Sequence, residues 1–182
     1  MYLIMAVKPI IKTPSPVLTH VTKTVKNVDE HVKQLVQDLL DTLTAAHDPE
    51  GVGLAAPQIG SNLRVCIVRR FISDPNEQGK HIIKDYVLIN PKISSKSDET
   101  DVNWEGCLSI PDTYGKVERA KKLKVAALNE NGEEIKYNAT GFFARIMQHE
   151  IDHLDGILFT TKVIGKTLTE KELDALTKEQ TK

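Results

Sequence analysis

Residues 149–153 read His-Glu-Ile-Asp-His, and this run constrains the chain more than any other. In a helix, side chains four positions apart stand one above the other, so His149 and His153 can reach a single metal ion. Glu150, beside the first histidine, can take a proton from a water held by that ion. The pattern is that of a hydrolytic metal site. Its surroundings suit a helix. Gly141 offers a break, Phe142, Phe143, Ile146, Ile151 and Leu154 follow at helical spacing, and Asp155-Gly156 provides a stop. The plainer alternative is an amphipathic helix carrying two half-buried, hydrogen-bonded histidines.

A chain of 182 residues suits one domain over 1–182, long enough to bury a sizeable core. The formal net charge of −1 supplies no global basic field, which argues against nucleic-acid specificity. Cys66 and Cys107 are too few for a disulfide framework and fit a reducing compartment. The opening MYLIMAVKPI has neither the basic start and cleavage site of a signal peptide nor the Arg/Ser richness of a transit peptide. No stretch approaches about 18 apolar residues, so no membrane span is expected and the cytoplasm is the default location.

Along the chain, Pro9, Pro14 and Pro16 make residues 8–18 extended or turning. Val28, Val32, Leu35, Leu39 and Leu43 predict an amphipathic helix from Asp29 to Ala46 that ends before Asp48-Pro49. A Gly-rich stretch, 51–60, follows. Strands are expected at Arg64–Arg69, at Tyr86–Ile89 closed by Asn90-Pro91, and at Lys122–Leu128. Asn131-Gly132 predicts a hairpin turn into a partner strand at Glu134–Tyr137. Residues 73–80 read as a polar turn or loop, and 94–101 as a polar, exposed stretch. Thr169-Glu-Lys-Glu172 is a capping box opening a short C-terminal helix. Strands and helices are segregated, which predicts an α+β fold. Antiparallel strands should pack around a central metal-binding helix, with an N-terminal amphipathic helix and the short C-terminal one outside.

A catalytic metal needs three protein ligands and an open position. No histidine follows His153, which leaves Glu170, Glu172 or Cys107 as the third ligand. Cys107 sits in Trp104-Glu-Gly-Cys-Leu-Ser-Ile-Pro111, where Gly106 permits close backbone approach and Pro111 ends the extended piece. A thiol beside a divalent cation is deprotonated outright. Cys66, between Val65 and Ile67, reads as a small buried hydrophobe. A Glu ligand would make the chain a zinc endopeptidase. Gly51-Val-Gly-Leu-Ala-Ala56 also fits a nucleotide-binding G-x-G-x-x-A, but no strand precedes it and Pro57 interrupts the helix that should follow. A metal-binding protein without activity has no use for Glu150.

Three stretches together are highly specific. Gly51-Val-Gly-Leu-Ala-Ala-Pro-Gln58, Glu105-Gly-Cys-Leu-Ser109 and Gln148-His-Glu-Ile-Asp-His153 resemble the signature motifs of the peptide deformylases, in that family's order. Asn90-Pro91 and Val117-Glu-Arg119 are weaker matches, and the similarity runs from Val7 to Phe159. The compact form looks like the type-1 bacterial group.

The resemblance implies an enzyme of protein biosynthesis that removes the N-formyl group from formylmethionyl nascent peptides and releases formate. It implies Cys107, His149 and His153 as ligands of one divalent ion, Fe2+ by preference, with Zn2+, Ni2+ or Co2+ able to substitute. A metal-bound hydroxide would attack the formyl carbon, with Glu150 as general base and then general acid. The Gln58 amide and the Leu108 N–H would hold the oxyanion. Val52, Phe142 and Ile146 would form the methionine pocket, and Gly51 and Gly53 would leave room for the substrate backbone. Core packing is the plain alternative for the pocket residues. Glu105 and Arg119 would pair to orient the Cys107 loop. Tyr114 departs from the family pattern. Many bacterial members carry an Arg there that contacts the peptide backbone, so anchoring beyond the first residue stays open. After Phe159 no motif applies. The family allows ribosome docking through this tail, whereas Lys162, Lys166, Lys171, Lys178 and Lys182 interleaved with acids favour a solvated helix face.

Overall fold

A computed structural model describes residues 7–180 of the chain, apart from 48, 49, 76 and 78. The apolar start at 1–6 and the expected Asp48-Pro49 helix stop lie outside the described residues.

The first helix, α1 (Glu30–Ala45), begins where the Asp29 carboxylate accepts a hydrogen bond from Val32 N–H at 3.0 Å. Its Val32, Leu35, Val36, Leu39 and Leu43 are buried against a five-stranded sheet. The strands of that sheet are β1 (Gly53–Ala55), β2 (Val65–Ser73), β3 (His81–Lys96), β6 (Lys122–Leu128) and β7 (Glu134–Thr140). They lie in the order β1-β2-β3-β6-β7, every pair antiparallel. Two further strands, β4 (Thr100–Cys107) and β5 (Ile110–Ala120), form a separate antiparallel hairpin. Helix α2 (Gly141–Leu154) carries the His-Glu-Ile-Asp-His run, and α3 (Glu170–Gln180) closes the chain. The fold is the α+β arrangement expected, with antiparallel sheets and three helices among the described residues.

Side-chain alternation along β2 builds two interiors. Val65 and Ile67 face α1, while Cys66 and Val68 face Phe143, Ala144, Met147 and Ile151 of α2. All four strand residues are fully buried, which explains a continuous apolar run where a half-exposed strand would alternate. Cys66 is the buried hydrophobe its neighbours suggested. On its other side α2 meets the β4–β5 hairpin. There Gln148 Nε2 donates to the carbonyls of Ala120 (3.0 Å) and Ala144 (3.1 Å), and Gln148 Oε1 accepts from Ala120 N–H.

Two expectations about strands fail. β3 does not close at Asn90-Pro91 but continues to Lys96. Asn90 adopts φ 53°, and the register with β6 shifts between Ile89 and Lys92, so Pro91 lies in a bulge where no ladder donor is required. The Asn90 amide pins that bulge to Val25, with both hydrogen bonds at 2.8 Å. Residues 94–101 are largely exposed, as their polarity suggests, and they end β3 and begin β4. Pro111 lies near the start of β5 rather than ending an extended piece. The expected helix at Gly141–Leu154 and strand at Lys122–Leu128 match the structure, and Glu134–Tyr137 extends to Thr140.

Candidate active site

Helix α2 presents His149 and His153 from consecutive turns, with ring centroids 4.9 Å apart. The end of β4 brings Cys107 to them: its Sγ lies 3.2 Å from His153 Nε2. One ligand atom from each of the three residues falls within 4.8 Å of the others. Tetrahedral bonds of about 2.0–2.3 Å put donors about 3.3–3.8 Å apart, so the cluster is close to what one cation needs. A sulfur with two imidazoles is a donor set for a borderline divalent metal. The His153 Nδ1 is buried with no hydrogen-bond partner among the described residues. Glu170 and Glu172 stay outside this group. Glu172 caps α3, its Oε2 accepting from Thr169 N–H at 2.8 Å, and Glu170 lies at the cavity rim. Cys107 therefore replaces both as the third candidate ligand.

The histidines are in different electrical settings. Burial, and then the charges of His149 and Arg119, hold His153 well below the usual imidazole value. His149 is pulled down by burial, but hydrogen bonding to Cys107 and Glu105 and the charge of Glu150 raise it to about 10 in the metal-free protein. Its Nδ1 lies 3.0 Å from Glu105 Oε2, which leaves Nε2 for the cluster.

Glu105 is held from three sides. Arg119 binds it bidentately, with both contacts at 2.9 Å, and Arg145 Nη1 donates to its Oε1 at 2.8 Å. Burial works against its ionisation; the hydrogen bonds from Arg119 and His149 overcome this and keep the carboxyl well below its ordinary range. Arg119 also pairs with Asp152 of α2, which in turn binds Lys162. The expected Glu105–Arg119 pair is present, but Glu105 reaches His149 rather than bracing the Cys107 loop alone. Arg145 was missed from sequence. Its signal was position: it stands four residues before His149, on the same helical face, in an otherwise apolar run.

Glu150 is 3 % exposed and its Oε2 has no partner among the described residues. Burial raises its carboxyl to about 7, with the charge of His149 pulling the other way. Gly53 of β1 lies against it, and a Cβ there would collide with the Glu150 carboxylate. The structure thus gives that glycine a reason the sequence did not show. Gln58, 2 % exposed, is fixed by its own turn, since its Oε1 accepts from Ala55 N–H at 2.8 Å. This aims Nε2 at Ser109 Oγ (3.2 Å) and Cys107 Sγ (3.6 Å).

A cavity of about 870 Å³ opens over these groups. Val52, Gly53, Gln58, Leu108, Phe142 and Ile146 line it, as do Cys107, His149 and Glu150, while His153 is buried beneath. Phe142 is 58 % exposed and Ile146 5 %, so only the first is free of a core role. Tyr114 stands on the rim with its ring against Gly106, and its backbone exchanges two hydrogen bonds of 2.8 Å with Leu168. The Gly-rich stretch 51–60 enters β1 and a tight turn at Ala56–Ile59, not a phosphate-binding helix.

The sequence profile of the polypeptide deformylases matches residues 7–168. The chain belongs to the peptide deformylase family. It is 45 % identical over 169 residues to peptide deformylase 1 of Bacillus subtilis, covering 93 % of this chain and 97 % of that one. Among solved structures, a class I type b peptide deformylase from Acinetobacter baumannii with Met-Ala-Ser bound superimposes with a TM-score of 0.77. It is 36 % identical, over 88 % of this chain and 100 % of the other. The peptide deformylase of Synechococcus elongatus in complex with actinonin gives a TM-score of 0.75 at 32 % identity, over 96 % and 86 %. Membership implies removal of the N-formyl group from nascent peptides, so this chain is a deformylase by family; the family is metal-dependent, and Cys107, His149 and His153 form a group that could hold an ion. No helix among its described residues is long and apolar enough to cross a membrane.

Proposed function

We propose that this deformylase hydrolyses the formyl amide of formylmethionyl peptides at the Cys107–His149–His153 cluster. The observation that carries the reading is the buried, unpartnered Glu150 carboxylate beside three convergent ligand atoms. Cys107, His149 and His153 would hold a divalent cation, ferrous iron on the family's precedent, with Zn2+, Ni2+ or Co2+ as substitutes. When bound, such an ion acidifies a coordinated water and offsets charge on a carbonyl oxygen.

Glu150 holds and moves the proton. A carboxyl near neutrality accepts one readily as the nucleophile forms and returns it to the leaving amine. Its burial keeps bulk water from competing. As the formyl carbon becomes tetrahedral, its oxygen gains charge, and the Gln58 Nε2 and Leu108 N–H donate to it. Gln58 costs little to reorganise because Ala55 already fixes its amide. Glu105, held by two arginines, keeps the His149 ring oriented. Val52, Phe142 and Ile146 supply the apolar wall for the methionine side chain. Met-Ala-Ser, bound by the Acinetobacter relative, is what deformylation of a formylated chain start would leave. The cavity here extends past the cluster to Tyr114, with room for residues after methionine.

Formate release from formyl-Met-Ala-Ser by anaerobically prepared protein tests the reading. Glu150→Gln should lower kcat by about 10²- to 10⁴-fold with metal content unchanged. No formate from the unmutated protein with iron or nickel bound would overturn it.

A further inference from the structure

The segment before α1 is fastened to both sides of the active site. Ile11 N–H donates to the Gln58 carbonyl at 2.8 Å, and Thr13 N–H donates to the Ser109 carbonyl at 2.9 Å. Gln58 belongs to the turn after β1. Ser109 belongs to the turn between β4 and β5, one residue beyond Leu108. These turns come from two separate sheets. Ahead of them, Lys8 N–H donates to Thr42 Oγ1 of α1 at 2.9 Å, and its ammonium lies 3.3 Å from Asp38. Ile10 and Lys12, alternating with the bonded residues, line the cavity.

We propose that residues 8–13 are a strap that sets the separation between the Gln58 amide and the Leu108 N–H, and so act as a positioning element for the oxyanion. The inference rests on the reading of those two groups as the oxyanion donors. Such donors work only when held near 3 Å from where the charged oxygen will sit, and small displacements weaken them steeply. The two turns touch each other directly through the Gln58 Nε2 contacts with Ser109 and Cys107. The strap adds one backbone bond to each turn and fixes both to a single short piece of chain. The methionine wall comes from Val52, Phe142 and Ile146, none of them in the strap, so loosening its backbone bonds should spare the methionine pocket and harm the chemical step.

Amide-to-ester replacement at residues 11 and 13, made singly with α-hydroxy acids, deletes each N–H and leaves every side chain in place. The control is the same replacement at residue 23, which removes the Lys23 N–H bond to the Asn62 carbonyl (2.9 Å) away from the cavity. With formyl-Met-Ala-Ser, the esters at 11 and 13 should lower kcat by about 5- to 50-fold, less than removal of a donor outright. KM should hold within about two-fold, metal content should be unchanged, and the residue 23 ester should keep full kcat. Equal kcat in all three ester proteins, or a raised KM with kcat intact, would overturn the strap. Gln58→Ala separates the layers of the argument. If it leaves kcat unchanged, the donor reading falls and the strap with it; if it lowers kcat while the esters are silent, the strap alone falls. Where an ester protein fails to fold, Lys8→Ala, which releases the strap's outer end from Asp38, takes its place, and an unchanged kcat there counts against the proposal.

Discussion

His149 is under opposing demands. Burial disfavours its charge, yet Cys107, Glu105 and Glu150 raise it from about 6.5 to about 10 when no cation is present. The sign follows from linkage. The metal-free fold has the full benefit of the imidazolium below pH 6.5, and loses it as the pH climbs through 10. A cation requires the neutral ring, so loading at pH 8 must expel that proton. Calorimetric titration with Zn2+ in two buffers of different ionisation enthalpy should show about one proton or more released. Release of none would mean the ring is already neutral. Of the site residues, the two histidines and Glu150 were legible from spacing alone. Cys107 was not, because a lone cysteine reads equally as a packed hydrophobe, and only the chain's convergence separates it from Cys66.

At the scale of elements, the weight rests on the join between α2 and the β4–β5 hairpin. Arg119 of β5 is 4 % exposed and binds Glu105 of β4 and Asp152 of α2. Arg119→Ala leaves the buried Glu105 carboxylate and the part-buried Asp152 carboxylate each with one partner fewer. It should destabilise the fold by about 3–5 kcal/mol in denaturant titration. Because Glu105 then orients His149 less firmly, metal affinity should fall about 10- to 100-fold in chelator competition. A stable variant with unchanged affinity would reduce the pair to packing. The elements themselves divide by how local their signals are. α2 and β6 could be read from periodicity because one apolar face suffices to define them. β4 and β5 could not: Gly106, Pro111 and many charged residues break their alternation, and their pairing is settled by α2 and the tail segment packed on them. β3 ran past Asn90-Pro91 because a bulge, invisible as a pattern, absorbs the proline.

Across the whole molecule, the ligand cluster draws from two layers, Cys107 from the hairpin and His149 and His153 from the helix beneath. A cation there ties the layers together and binds only the folded chain. At about 1,000 times its dissociation constant it should add about 4 kcal/mol. For a chain of this size that raises Tm by about 8–16 °C. Scanning calorimetry under anaerobic conditions, before and after chelation, checks this, and coincident melting curves would contradict it. The two-faced burial of β2 has a different consequence. Consecutive residues of that strand belong to different interiors, so the chain keeps a parity. Removing a single residue ahead of Val65 would trade the contents of the two compartments, setting valine and isoleucine beneath the histidine helix and the cysteine opposite α1. The Ser61–Arg64 link is thereby closed to any odd change in its length, and Arg64, paired with Asp155 and donating to the Pro91 carbonyl, anchors its end.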